Sequence, residues 1–367
     1  MLKLLLAVAG CAGLGDVPLA ALQVRIPGPG GEGATSSVGC TPASGYSYCR
    51  QLTVNGSQVG GSTLTNFGVL VNATLGGSRI QNSNCYDAIF TSDSGGTTLI
   101  PWEMEECTQG TGAIVAWVGL SSVSSSANTV FYISYNNSSV STAQNTGSYA
   151  PCNVWDSSYA RVFHLGNGST LSLNDSTCSP HNLTNNGLTA GVGQVDGGAV
   201  GTGSYASGPD TGLPSGGSAR TIEAWFNISS FSNAHDLFQF GTYSNHEFQN
   251  VAVAGNEFEW FGDSDDFTVS TTFTASTWYY FAGTYDGTAT ATAYINNTSL
   301  GTHSMLWNTV LGGTFYLGAD SVGGAQKLSG TIDEFRISSV NRSPGYLTAQ
   351  YNQMKASSTF LTVGSEY

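Results

Sequence analysis

The sequence predicts an all-β protein made of two tandem antiparallel β-sandwich domains. Three observations lead there. Short runs of β-branched and aromatic residues alternate with Gly, Asn and Ser clusters along most of the chain. The 48 glycines and only 9% charged residues suit strands joined by tight turns, while 17 Tyr, 17 Phe and seven Trp are far too many aromatics for a disordered chain. A length of 367 residues exceeds what one sandwich usually needs.

The elements follow in chain order. Residues 1–22, MLKLLLAVAGCAGLGDVPLAAL, place one Lys before a short apolar run and then small residues, the pattern of a secretory signal peptide. Val8-Ala9-Gly10-Cys11 also fits a bacterial lipobox, in which Cys11 becomes the lipidated first residue; cleavage near Ala20 or Ala21 is the alternative. The apolar run is too short and too rich in Gly to cross a bilayer. Residues 23–44 read as a Pro/Gly/Ser linker.

A first sandwich is expected over 45–165, with strands at 51–54, 67–75, 87–92, 113–120 and 129–135. The second domain, 166–367, begins with a loop-rich stretch to residue 220. Strand signals then return at 221–228, 237–241, 278–286, 290–297, 314–320 and 330–338. SPGYLTAQYNQMK at 343–355 is the best candidate for a short helix.

Charge and cysteine content bound the function. A net charge of −14 with ten Lys and Arg cannot displace counterions from phosphates, so nucleic acid is an unsuitable partner, as is an anionic membrane. Membrane attachment is expected only through a lipid on Cys11. Beyond Cys11 there are six cysteines, an even number that suits an oxidising compartment. Sequence alone leaves fifteen pairings open; nearest-neighbour pairing, Cys40–Cys49, Cys85–Cys107 and Cys152–Cys178, closes the most local loops. No CxxC spacing marks these residues as zinc ligands. Secretion or display on the cell surface follows as the expected location.

Residues 221–350 carry Thr221-Ile-Glu-Ala-Trp225-Phe, Thr277-Trp278-Tyr-Tyr-Phe-Ala-Gly-Thr-Tyr285-Asp286-Gly, Ala293-Tyr294-Ile-Asn-Asn, Phe315-Tyr-Leu-Gly318 and Gly330-Thr-Ile-Asp333-Glu334-Phe-Arg336-Ile. In that order these resemble a laminin-G-like, concanavalin A-like jelly roll. The first half resembles the domain of unknown function 2341 family, through Asp87-Ala-Ile-Phe90-Thr, Leu99-Ile-Pro101-Trp102-Glu103, Ala116-Trp117-Val118, Tyr135-Asn136-Asn137, Trp155-Asp156 and Val162-Phe163-His164-Leu165. The close, Ser358 to Glu366, is similar to the usual end of that pairing. Together the resemblances cover roughly 45–367 and imply architecture more than activity.

Four places could carry chemistry. In TLIPWEMEEC (98–107), strand alternation puts Glu103 and Glu105 on one face, which resembles half of the catalytic strand of retaining glucanases with the concanavalin A-like fold. Cys107, or Thr108 after a bulge, stands where the partner acid belongs, so the expectation is a core strand with Trp102 and Met104 buried. His164, among apolar neighbours, reads as a core or interdomain side chain rather than a ligand. Trp260, Asp263, Asp265 and Asp266 combine a stacking ring with oxygen acceptors and form the candidate glycan-binding loop; the plainer reading is a core strand followed by a solvated acidic turn. Asp333 is the candidate for a structural Ca²⁺, because the resemblance to jelly rolls implies that the acidic pair Asp333-Glu334 holds such an ion or fixes a loop by accepting backbone N–H groups. Asp320 is a further candidate for the same or another site.

The resulting expectation is a non-catalytic, adhesin-like protein whose second domain binds glycans, matrix or surface proteins. A structural subunit of a surface layer, filament or virion that self-assembles is one alternative, and a glycoside hydrolase is the other.

Overall fold

The segments expected to be strands hydrogen-bond into four antiparallel sheets in the computed structural model, which describes residues 39–321 and 326–367. The signal-like segment, Cys11 and linker residues 23–38 lie outside the described residues.

In the first half the strands are β1 (Tyr48–Val54), β2 (Leu64–Thr74), β3 (Ala88–Thr91), β4 (Trp102–Thr108), β5 (Ala113–Val123) and β6 (Thr129–Tyr135). β7 (Tyr159–Phe163) then leads across to the second half, where β8 (Thr184–Asn186), β9 (Thr189–Val192), β10 (Gly197–Thr202) and β11 (Tyr205–Pro209) are short. Longer strands follow: β12 (Arg220–Ile228), β13 (His235–Gly241), β14 (Phe248–Ala254), β15 (Glu257–Phe261), β16 (Phe267–Ser270), β17 (Trp278–Tyr285), β18 (Thr290–Ile295) and β19 (Thr298–Ser304). The chain ends with β20 (Thr314–Leu317), β21 (Ser329–Ser338), helix α1 (Pro344–Met354) and β22 (Leu361–Glu366).

Sheets β22-β1-β6-β3 and β2-β5-β4 bury one core, with Leu52, Val54, Phe67, Val69, Phe90, Trp102, Val118, Phe131 and Ile133 inside. The alternation read from 129–135 is visible in β6: Phe131 and Ile133 point inward, while Val130 is exposed and Tyr132 packs on the Cys40–Cys49 disulfide. The C-terminal strand β22 pairs with β1, so the chain's last residues complete the first sandwich.

The jelly roll sets β16-β15-β14-β13-β20-β11-β8 against β19-β18-β17-β12-β21-β10-β9, around Phe226, Phe238, Val251, Phe258, Trp260, Phe281, Phe315, Phe335 and Ile337. β12 is buried along nearly its whole length, because both its faces are covered. One face meets the jelly-roll core through Ile222, Ala224 and Phe226, and the other turns Trp225 toward the first core, which also takes Tyr280 and Ala282 from β17. That explains why TIEAWFNI reads as a continuous apolar run rather than an alternating one.

Helix α1 begins where Ser343 Oγ accepts the Tyr346 N–H at 3.2 Å and Pro344 sets the first turn. It is wedged between the halves. Tyr351 stacks on Trp225 at 5.8 Å, and Tyr346 meets Phe67 edge-on at 5.2 Å.

Disulfides Cys40–Cys49 and Cys85–Cys107 staple the first half, and Cys152–Cys178 ties its end to the start of the second. The Cys85–Cys107 bridge closes a loop of 22 residues that ends in β4. Loop-closure entropy predicts that a Cys85→Ser/Cys107→Ser double variant loses about 3 kcal/mol in urea unfolding. An unchanged midpoint would show that this loop is already ordered without its crosslink.

Candidate functional site

Strand β21 generates the site. One of its edges pairs with β12, and the opposite edge is shared: β10 takes Ser329 to Ile332, and β7 takes Phe335 to Ser338. Asp333 and Glu334 sit in the gap between those partners. On the β12 side the register slips between Glu223 and Trp225, and Glu334 adopts φ +51°, a left-handed conformation uncommon for Glu inside a strand.

The bulge sends two successive carboxylates to different partners. Asp333 Oδ2 accepts the N–H groups of Gln194 (2.7 Å) and Val195 (3.0 Å) from the β9–β10 turn. Glu334 Oε1 lies 2.9 Å from His164 Nδ1, and its other oxygen is paired with Arg336. The Arg336 guanidinium stacks over Trp117 (4.3 Å) and Trp155 (4.9 Å) and donates to Gln350 Oε1 on α1 at 3.0 Å.

His164 follows directly on β7, its ring stacked against Trp117 and tilted against Trp155. Glu103 and Glu105 approach it from β4. A register slip between Met104 and Glu106 bulges Glu105 out of the ladder with β5. Glu103 Oε2 accepts from Trp155 Nε1 (2.8 Å) and lies 3.4 Å from His164 Nε2, while its Oε1 accepts from Ser176 Oγ (2.6 Å). Glu105 Oε2 accepts from Trp117 Nε1 at 2.9 Å and lies 3.6 Å from His164 Nδ1. A cleft of about 210 Å³ opens onto Glu103, Glu105 and His164, walled by Asn167, Ser172 and Ser176.

Burial and mutual repulsion set the charges. Burial pushes the Glu105 carboxyl well above the usual carboxylate range; Glu334, Asp196 and Asp333 add to this and His164 opposes it. Burial alone would lower His164, but Glu105, Glu334 and Glu103 hold its imidazole well above the ordinary value. For Glu334 burial is outweighed by His164 and Arg336, which keep it an anion. Burial, then Glu334, pushes Asp333 well up, and burial raises Asp196 to about 7. Glu334, between Arg336 and His164, is thus the firm carboxylate of the cluster, while burial pushes Glu105 and Asp333 toward their neutral forms and the charge of His164 depends on that of Glu105. Among the described residues, one donor atom each from Glu105, His164 and Glu334 lie within 4.8 Å of one another, close enough to hold a metal ion.

The other sequence candidates fall elsewhere. Trp260 is fully buried, packed on Trp307 at 4.7 Å with Nε1 donating to Gln249 Oε1, so it offers no ring face to solvent. That corrects its assignment as a stacking platform: strand alternation sends its ring inward with Phe258. The acidic turn after it is at the surface. Asp265 accepts the Leu306 N–H, Asp266 Oδ1 accepts from Gly262 N, and Asp263 has φ +54°. The loop after β13, which the His246 N–H ties to this turn, carries an aromatic ring that does reach solvent, Tyr243, 56% exposed and 4.8 Å from Phe248. Burial, with Asp320 adding to it, raises the carboxyl of Asp236, whereas burial and then Glu334 raise that of Asp333, so the two candidate calcium ligands keep different company. Asp286 closes the β17–β18 turn by accepting the N–H groups of Thr288, Ala289 and Thr290.

Sequence reading missed the meeting of His164 with three carboxylates. No local signal announces it, because the four residues come from β4, the end of β7 and β21.

Residues 196–346 match the laminin-G-type family described as the concanavalin A-like lectin/glucanases superfamily. The chain thus carries such a domain there, while the likeness of residues 87–165 to the domain of unknown function 2341 family remains a resemblance of motifs. No curated protein matches the chain. Among solved structures, domain 4 of AbnA, a GH43 extracellular arabinanase from Geobacillus stearothermophilus solved with arabinotriose, is similar with a TM-score of 0.43 and 19% identity. That match covers 52% of this chain and 96% of that domain. The binding domain of Paraclostridial Mosquitocidal Protein 1 gives 0.44 and 13%, covering 53% and 52% of the two chains. The receptor binding domain of botulinum neurotoxin D gives 0.42 and 14%, again over 53% and 52%.

The charge assignment separates two isosteric substitutions. Glu105→Gln replaces an acid that burial already pushes toward its neutral form and keeps an acceptor for Trp117, so it changes unfolding free energy by less than about 1 kcal/mol at pH 7. Glu334→Gln strands two buried cations and costs about 3–5 kcal/mol. Both raised groups, Glu105 and His164, stabilise the fold below their unfolded values, and that contribution fades as pH rises through their folded ones. The urea midpoint of the wild type therefore falls from about pH 5 toward pH 9, less steeply in Glu105→Gln. Equal costs for the two variants would refute the assignment.

Proposed function

We propose that the chain is a non-catalytic extracellular protein that binds neutral glycans, at a cell surface or in a matrix, through the loop end of its concanavalin A-like domain. The observation that carries this reading is the exposed Tyr243 ring on the loop after β13, which is hydrogen-bonded to the acidic turn 262–266. The two loops are tied together, since the His246 N–H donates to the carbonyls of Gly262 (2.6 Å) and Asp263 (3.1 Å). An exposed aromatic face suits the C–H side of a sugar ring, and Asp263 and Asp266 supply acceptors for its hydroxyls. A net charge of −14 works against anionic polysaccharides.

Two further facts support the non-catalytic and extracellular parts. Both oxygens of Glu103 accept protein donors and Glu105 is sunk beneath Trp117, which leaves neither placed as a free acid and nucleophile pair. Three disulfides fit an oxidising compartment, and among the described residues no helix is long and apolar enough to cross a membrane.

A glycan array probed with the full chain tests the reading. Binding to neutral oligosaccharides is expected, weakened about tenfold by Tyr243→Ala, the loss of one stacking contact. Absence of binding, or binding indifferent to Tyr243→Ala, would overturn it. Polysaccharide hydrolysis abolished by Glu103→Gln would replace it with a hydrolase.

A further inference from the structure

Glu105, His164 and Glu334 resemble a metal site in a respect that goes beyond their closeness. Each would-be ligand is held from behind by a separate group. His164 presents Nδ1 to the two carboxylates, and its Nε2 faces Glu103 Oε2 at 3.4 Å, an oxygen itself fixed by Trp155 Nε1. Trp117 Nε1 holds Glu105, and Arg336 holds Glu334. A carboxylate behind a histidine, with hydrogen-bond donors behind the acids, is the outer shell that orients metal ligands and fixes the imidazole tautomer.

A second, independent observation points inward. Glu105 Oε1 is buried and has no hydrogen-bond partner, on a side chain only 4% exposed. An acceptor left bare at such depth is costly, and a bound cation would satisfy it. The cleft of about 210 Å³ reaches Glu105 and His164 from solvent, giving an ion its path and leaving room for water at an open coordination position.

We propose that Glu105, His164 and Glu334 bind one divalent d-block ion, with zinc the best fit, through Nδ1 of the histidine and one or both oxygens of each glutamate. One nitrogen and two carboxylates make a mixed donor set that suits Zn²⁺, with three protein ligands and an open fourth position. Ca²⁺, which takes six to eight oxygens, is the wrong ion for it. The ion would clamp β4, the end of β7 and β21 together. The proposal stands apart from glycan recognition, which uses a different part of the molecule.

The full chain, stripped with EDTA and dialysed, is titrated with Zn²⁺ by calorimetry, and bound metal is counted by mass spectrometry; Co²⁺ serves as a visible-absorption probe. One Zn²⁺ per chain is expected, with affinity reduced at least tenfold in Glu105→Gln and in His164→Gln and unchanged in His181→Ala. Co²⁺ should give a d–d band that Glu105→Gln abolishes. Because Glu105→Gln keeps the fold, its result stands even if His164→Gln is unstable. No stoichiometric uptake of Zn²⁺ or Co²⁺, uptake unaltered by Glu105→Gln, or uptake of Ca²⁺ alone would each overturn the proposal.

Discussion

The constraint on which the structure depends is that one sheet serves two cores. The eight-stranded sheet packs against the other jelly-roll sheet on one face and against α1 and the first sandwich on the other. Polar groups on the second face cannot reach water, so they must satisfy one another. Many do so through linked hydrogen bonds, although Trp225 Nε1 and Arg336 Nε have no hydrogen-bond partner. Glu223 accepts from Tyr280, Arg336 bridges Glu334 and Gln350, and Gln350 donates to Tyr159 (3.1 Å) and Tyr346 (3.3 Å). Gln353 extends it to the backbone of Gly68 and Leu70 in β2. Helix α1 is thereby pinned by hydrogen bonds with definite geometry, which apolar packing alone would not impose.

Such a network is a weak source of net stability, because removing charges from water offsets most of what pairing returns. Its effect is on which arrangement forms. Arg161, Arg220 and Arg336 are each at most 1% exposed, so three of the ten basic residues are withdrawn from the surface. Seven acidic side chains are buried among the described residues as well, so the surface stays acidic without exceeding the overall count, and the argument against phosphate-bearing partners rests on the scarcity of surface cations. Inside, Arg336 is shielded between Trp117 and Trp155, a planar cation on aromatic faces that a lysine could not reproduce.

Much of the fold was legible in the sequence, and the reasons are local. Period-two alternation and turn clusters mark strands such as 129–135, and Ser343-Pro344 marks the start of α1. The cysteine pairs lie close in sequence and bond to those neighbours. The candidate site was legible only in fragments. Alternation put Glu103 and Glu105 on one face, but a bulge at Glu105 decides where its carboxylate goes, and nothing in TLIPWEMEEC announces a bulge. His164 has apolar neighbours in sequence and carboxylate neighbours in space. For Trp260 the plainer reading, a core strand ahead of an acidic turn, describes the ring's burial, while composition alone also allowed a stacking platform.

These failures share a cause that bears on the site itself. Residues 103, 105, 164 and 334 converge only because β21 gives its free edge to two strands in succession and leaves two residues unpaired between them. In an uninterrupted ladder Glu334 would alternate regularly and its carboxylate would end up on a fixed face beside Arg336. The left-handed turn at Glu334 breaks that alternation where the two halves meet. Strained backbone inside a sheet persists only where its surroundings hold it. Here the ion pair to Arg336 and the contact with His164 do so, and the second would be lost if the strand ran straight. The bulge and the cluster therefore maintain each other, which makes the gap in β21 the point where the fold and its candidate chemistry are a single structure.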